Sequence, residues 1–193
     1  MELDDQLLPS SPGPEQDTQQ TSKNRDKFPR NPAKYVMVPS NARKKHPVIE
    51  ERMRQMADFA ETFAFNRVEP GTADAQGQRL GIVTCGVAYQ YAKEIFPHAS
   101  ILRLGMTYPL PPNLIRDFAS KVDRLIVLEE LDPFLEEEIR LMGIACEGKS
   151  IFPLCGEFDP RVVRESAIRA GLLPEAARVP IALQEIEGLE RTE

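Results

Sequence analysis

From residue 80 onward, short apolar runs alternate with stretches whose apolar residues recur every three or four positions. LGIVT (80–84), ILRLGM (101–106) and RLIVLEE (124–130) have the β-rich character of strands covered on both faces. Between and after them, VAYQYAKEIF (87–96), NLIRDFASKV (113–122), PFLEEEIRLMG (133–143) and DPRVVRESAIRAGL (159–172) carry helical spacing. The third of these begins with proline and ends with glycine, and the fourth is opened by Asp159-Pro160 and closed by Gly171. IACEG (144–148) reads as a weaker strand. Strands alternating with short helices imply right-handed βαβ crossovers. The expected fold is therefore α/β, three-layered, with a mainly parallel sheet and flanking helices. Residues 80–193 form that domain.

The first 79 residues have a different texture. Residues 1–30 are polar and interrupted by Pro9, Pro12, Pro14 and Pro29. Such a segment cannot bury enough apolar surface to offset its ordering entropy, so it reads as a disordered tail or linker. Residues 31–79 hold three pieces. KYVMVP (34–39) is a short extended run. A helix follows, with Asn41 as N-cap and Pro47 in its first turn, and Ile49, Met53, Met56, Ala60 and Phe63 along one face. NRVEPGTADAQGQR (66–79) is an exposed connection broken by Pro70, Gly71 and Gly77.

Composition narrows the range of functions. The 193 residues carry a net charge of −6, which argues against nucleic acid as a partner. No apolar run reaches the roughly 18–20 residues of a membrane helix. The N-terminus has no secretory pattern. Three cysteines without a C-x-x-C pair, together with two histidines, fit reduced thiols in the cytoplasm and leave little for a zinc or iron–sulfur site.

In an open parallel sheet, ligands collect beyond the carboxyl ends of the strands. Three candidates fall there. Thr84, Cys85 and Gly86 precede a helix, where a thiol can be a lowered-pKa nucleophile or simply an inert buried group, and where backbone amides can meet an anion. Thr107 and Tyr108 sit in the proline-rich turn YPLPP and either touch a ligand or set the turn. Glu129 and Glu130 end a strand. Paired carboxylates serve acid–base chemistry or Mg²⁺, but strand neighbours face opposite ways, and a salt bridge or a charge at the N-terminus of the following helix is the plainer role. Glu136, Glu137 and Glu138 read as the solvated face of that helix, with Glu136 placed to pair with Arg140. A fourth candidate, the basic run Arg43, Lys44, Lys45 and His46, suits a phosphate, an acidic partner or plain solvent. The chain has no P-loop, no G-x-G-x-x-G and no G-x-S-x-G.

YVMVPSNARKKHP, LGIVTCGVAYQYAKE, LGMTYPLP, VLEELDPFLEEEI and FPLCGE, taken in order, resemble the α subunit of indolepyruvate ferredoxin oxidoreductase. That family is thiamine-diphosphate-dependent and acts on 2-oxoacids. The resemblance implies a middle, transketolase C-terminal-like domain, present here as a fragment or as a separate chain. It implies no catalytic, cofactor-binding or metal-binding residue in this chain. Thiamine diphosphate, Mg²⁺ and 4Fe–4S clusters, with coenzyme A as substrate, belong to the parent enzyme. The implied partners are the remaining α-subunit domains, a β subunit and ferredoxin.

Overall fold

The structure is a computed structural model that describes residues 30–178. The expected disorder of residues 1–30 falls almost wholly outside them. The chain divides into two compact units between Ile49 and Glu50.

In the first unit, Asn31 accepts the amide of Lys34 at 3.1 Å and, with Pro32 at the first helical position, starts the short helix α1 (Pro32–Tyr35). The expected extended run is thereby shortened, since Lys34 and Tyr35 are helical and the chain straightens only at Val36. Helix α2 spans Pro39–Thr62. It starts before the expected cap, so Asn41 lies inside the first turn and its amide instead donates to the Val36 carbonyl at 2.9 Å. Pro47 is in the helix interior. The hydrogen bond that proline removes belongs to the carbonyl of Arg43, an exposed residue, and water can satisfy it there.

The second unit is built on a four-stranded sheet in the order β1-β3-β2-β4. The strands are β1 (Arg67–Glu69), β2 (Leu80–Cys85), β3 (Ser100–Leu104) and β4 (Arg124–Leu128). Strand β2 pairs in parallel with β3 and β4, while β1 runs antiparallel on β3. The sheet is thus mixed but mainly parallel. Strand β1 lies within the segment that the sequence presents as a connection; its three residues are too few to show a period. The expected strand at 144–148 is reduced to one bridge, Ile126 with Glu147, because the chain turns at Gly148.

Helices α3 (Ala88–Ile95), α4 (Pro112–Ala119), α5 (Phe134–Leu141) and α6 (Pro160–Arg169) flank the sheet. One face of the sheet gives Ile82, Ile101, Ile126 and Leu128 to a core with Ala92 of α3 and Val163 and Ala167 of α6. The other gives Val83, Leu102, Leu125 and Val127 to a core with Ile115 and Phe118 of α4 and Ile139 of α5. Alternate residues of one strand therefore feed two cores, which is why the strands read as unbroken apolar runs. No helix among the described residues is long and apolar enough to cross a membrane.

Candidate functional site

The carboxyl ends of β2, β3 and β4 bring five of the candidate residues to one place. A cavity of about 280 Å³ is lined by Cys85, Gly86, Thr107, Glu129 and Glu130, with Asp132 at its side. A neighbouring cleft of about 440 Å³ shares Glu130 and adds Leu131, Glu157 and Phe158. Val87 borders both. Gly86, at φ 56, makes the left-handed turn out of β2 that a side chain would oppose.

Glu129 is 6% exposed and fully committed. Its carboxylate accepts the amides of Leu135 at 2.8 Å and Glu136 at 2.9 Å, and its carbonyl accepts Lys149 Nζ at 2.6 Å. Helix α5 begins after Pro133, which offers no side-chain cap, so Glu129 caps it from the strand end. Burial pushes the Glu129 carboxyl above its ordinary range, against the two amide bonds that hold it down. Glu130 points elsewhere and accepts the Phe158 amide at 2.9 Å. The two neighbours do not form an acid–base pair; each anchors a different loop.

Cys85 is half-buried, and its thiol is pushed up by burial first and then by Glu129 and Glu130. It stays protonated where a nucleophile would need the thiolate. His98 offers no help, since it lines a separate cleft with Leu80 at the opposite end of β2. Thr84 is fully buried with its hydroxyl unpartnered, so it is a core residue rather than part of an accessible edge. Tyr108 is 64% exposed, its ring centroid 6.5 Å from that of Phe134.

Glu136 departs from the expected solvated face. It is 2% exposed, paired with Arg140 at 2.7 Å as its spacing suggests, and accepts the Lys149 amide at 2.8 Å. The covering segment comes from residues 148–149, which α5 alone cannot reveal. Sequence reasoning also missed two loop anchors. Asn66 accepts the amides of Gly105 and Met106 at 3.0 Å each, and Glu61 accepts those of Asn113 and Leu114 at 2.9 Å, capping the proline-started α4. Nothing local marks either, because both act across some forty to fifty positions of chain.

In the first unit, Arg43, Lys45 and His46 line a cleft of about 350 Å³ with Met37 and Ile49. Lys45 donates to the Lys34 carbonyl. Between residues 30 and 49 the charged side chains are Arg30, Lys34, Arg43, Lys44 and Lys45, with no Asp or Glu.

The donor set does not fit the cofactors that the resemblance implies. The edge is stocked with carboxylates, which repel a diphosphate, and it has no run of glycine amides to receive one. Among the described residues no three His, Cys, Asp or Glu side chains gather to hold a metal ion.

Fold and edge together define an α/β domain with a mainly parallel sheet and an acidic, apolar carboxyl edge. The chain is similar to oxidoreductase subunits. The chain is 32% identical over 171 residues to indolepyruvate oxidoreductase subunit IorA of Pyrococcus horikoshii, covering 83% of this chain and 25% of that subunit. It is 34% identical to IorA of Archaeoglobus fulgidus over 125 residues, 63% of this chain and 19% of the relative. It is also 34% identical to IorA of Methanothermobacter thermautotrophicus over 136 residues, 68% and 21% of the two chains. The chain thus spans a quarter or less of the length of these relatives. No family model matches. A solved 2-oxoglutarate:ferredoxin oxidoreductase from Magnetococcus marinus resembles 68% of this chain and 23% of its own, at 19% identity and a TM-score of 0.49. The resemblance to the α subunit of indolepyruvate ferredoxin oxidoreductase therefore holds over most of the chain and a minor part of that subunit.

Proposed function

We propose that this chain is a structural, non-catalytic segment of an indolepyruvate:ferredoxin oxidoreductase. The whole enzyme oxidatively decarboxylates aryl 2-oxoacids to acyl-CoA and passes the electrons to ferredoxin in the cytoplasm. The observation that carries this reading is the alignment with IorA over 171 residues. Residues 80–193 act as its transketolase C-terminal-like domain, and residues 31–79 connect to it. Thiamine diphosphate, Mg²⁺ and the 4Fe–4S clusters are held by other parts of the enzyme, where the cofactor carries the carbanion chemistry. The partners are those parts, a β subunit and ferredoxin. The test is assembly and turnover. Purified chain with indolepyruvate, coenzyme A, thiamine diphosphate and oxidised ferredoxin is expected to reduce no ferredoxin. The same mixture containing the source's remaining oxidoreductase polypeptides is expected to reduce it only when this chain is present. Turnover by the chain alone, or undiminished turnover without it, defeats the proposal.

A second reading is an independent interaction module without enzyme activity. It is favoured by the purely cationic segment 30–49, which also exposes Met37, Val38, Val48 and Ile49. Reading frames beside this one that encode no further oxidoreductase parts would support it.

A further inference from the structure

The loop from β4 to α5 holds one side chain in a conformation that leucine rarely adopts. Leu131 has φ 57, the left-handed region, and is 64% exposed. Burial does not compensate it. The flanks hold it in place. The Glu129 carboxylate is fixed to the start of α5, the Glu130 carboxylate to the Phe158 amide, and the Phe134 amide donates to the Asp132 carbonyl at 2.9 Å. Strain kept by a rigid surround is a signature of functional positions.

The surroundings of Leu131 say what it meets. Val87 is 52% exposed, Phe134 40% and Tyr108 64%, so the edge presents apolar side chains to its outside. Glu130, Asp132 and Glu157 line the two clefts between them. Lys149, a cation that interacts with Glu130 and Asp132, is already bonded to the Glu129 carbonyl and sits over the Phe158 ring. The surface sets exposed apolar side chains beside carboxylates, a composition that suits a protein interface with apolar anchors and charged neighbours.

We propose that the carboxyl edge of the sheet docks a different polypeptide, one offering an apolar socket to Leu131 and Phe134 with Lys or Arg set around it. A second copy using the same edge would place Glu130, Asp132 and Glu157 against themselves, so charge favours a dissimilar partner. The partner's identity as another part of the oxidoreductase rests on the function proposed above; the chemistry of the edge does not.

The test is affinity between this chain and the source's remaining indolepyruvate oxidoreductase polypeptides, measured by calorimetry at low and high salt. Leu131→Gly is expected to weaken binding by about tenfold or more, the effect of losing an interface anchor. It should leave the melting temperature unchanged or raised, because glycine accepts this backbone conformation without strain. Asp132→Lys with Glu157→Lys should weaken binding and flatten its salt dependence, while Arg116→Glu on α4 should do neither. Wild-type affinity in both edge variants overturns the docking edge and leaves the proposed function standing. Failure of the unaltered chain to bind those polypeptides overturns both. A homodimer that Leu131→Gly dissociates overturns the choice of partner and with it the proposal.

Discussion

Glu129 and Glu136 are joined backbone to side chain: the Glu136 amide donates to the Glu129 carboxylate at 2.9 Å, and both residues are buried. Each then bonds to Lys149, Glu129 through its carbonyl and Glu136 through its carboxylate. The end of β4, the first turn of α5 and the segment after the Ile126–Glu147 bridge are thus tied at one point. Two acidic residues that resemble catalytic or solvated groups in sequence are the fastening of the strand-end loop.

Removing that fastening has a predictable cost. Glu129→Ala leaves two buried amides without an acceptor, and each unsatisfied buried group costs about 1–3 kcal/mol. Urea denaturation should show a loss in that range or above it. Glu61→Ala should cost about 1 kcal/mol, as for an ordinary lost cap, because Glu61 is only half-buried. Equal and negligible losses at both sites would show that water replaces the caps.

The acidic residues also differ in the sign of their pH dependence. The Glu129 carboxyl is raised by burial. The native state therefore binds its proton more tightly than the unfolded chain does. Its contribution is full below the unfolded value of about 4.3 and is lost as pH rises through the raised folded value. Glu69 is lowered by its bonds from Lys93 at 2.7 Å and Tyr89 at 2.7 Å, and Glu147 by Arg124. Their contributions are present above the unfolded value and lost as pH falls through the lowered one. The stability deficit of Glu129→Gln should accordingly be larger at pH 4 than at pH 7, and that of Glu69→Gln larger at pH 7 than at pH 4. Denaturation midpoints at the two pH values check both, and a deficit that moves the same way in the two variants contradicts the assignment.

Cys85 and Cys155 should separate in their reactivity. Cys155 is exposed, whereas Cys85 is half-buried with its thiol pushed up by burial and by the carboxylates beside it. Iodoacetamide with peptide mapping should label Cys155 first at neutral pH, and Cys85 only as the solution becomes alkaline. Half-maximal labelling of Cys85 below pH 7 would reveal a stabilised thiolate and revive it as a nucleophile.

What was legible in the sequence depended on how local the cause was. The runs LGIVT and LIVL and the spacing of Ile115 with Phe118 report burial directly, and those elements form near their expected bounds. The divergence of Glu129 from Glu130 followed from strand alternation. For the pair, a charge at the N-terminus of the following helix was one of two plain alternatives to catalysis, beside a salt bridge, and it is Glu129 that takes that place. Strand β1 was not legible, being three residues paired to a strand more than thirty positions away. The burial of Glu136 was hidden for the same reason, because Gly148 and Lys149 supply its cover. The left-handed Leu131 carries no sequence signal, since leucine is not a residue that marks such turns.

Gly148 gives the sharpest test of the fastening. A Cβ placed there would come within 2.5 Å of Glu136 Oε2 and 2.8 Å of its carboxyl carbon. That carboxylate is held by Arg140 and by the Lys149 amide and cannot swing away freely. Gly148→Ala should therefore destabilise the fold by about 1–3 kcal/mol, the usual penalty for overpacking. Glu136→Ala removes the obstacle and, at the same time, the acceptor for Lys149. If the two residues interact only through this contact, Gly148→Ala should cost much less in the Glu136→Ala background. The double-mutant cycle would then show a coupling of about 1 kcal/mol or more. Strict additivity would mean that the Glu136 carboxylate yields at no cost and that its contact does not restrict position 148.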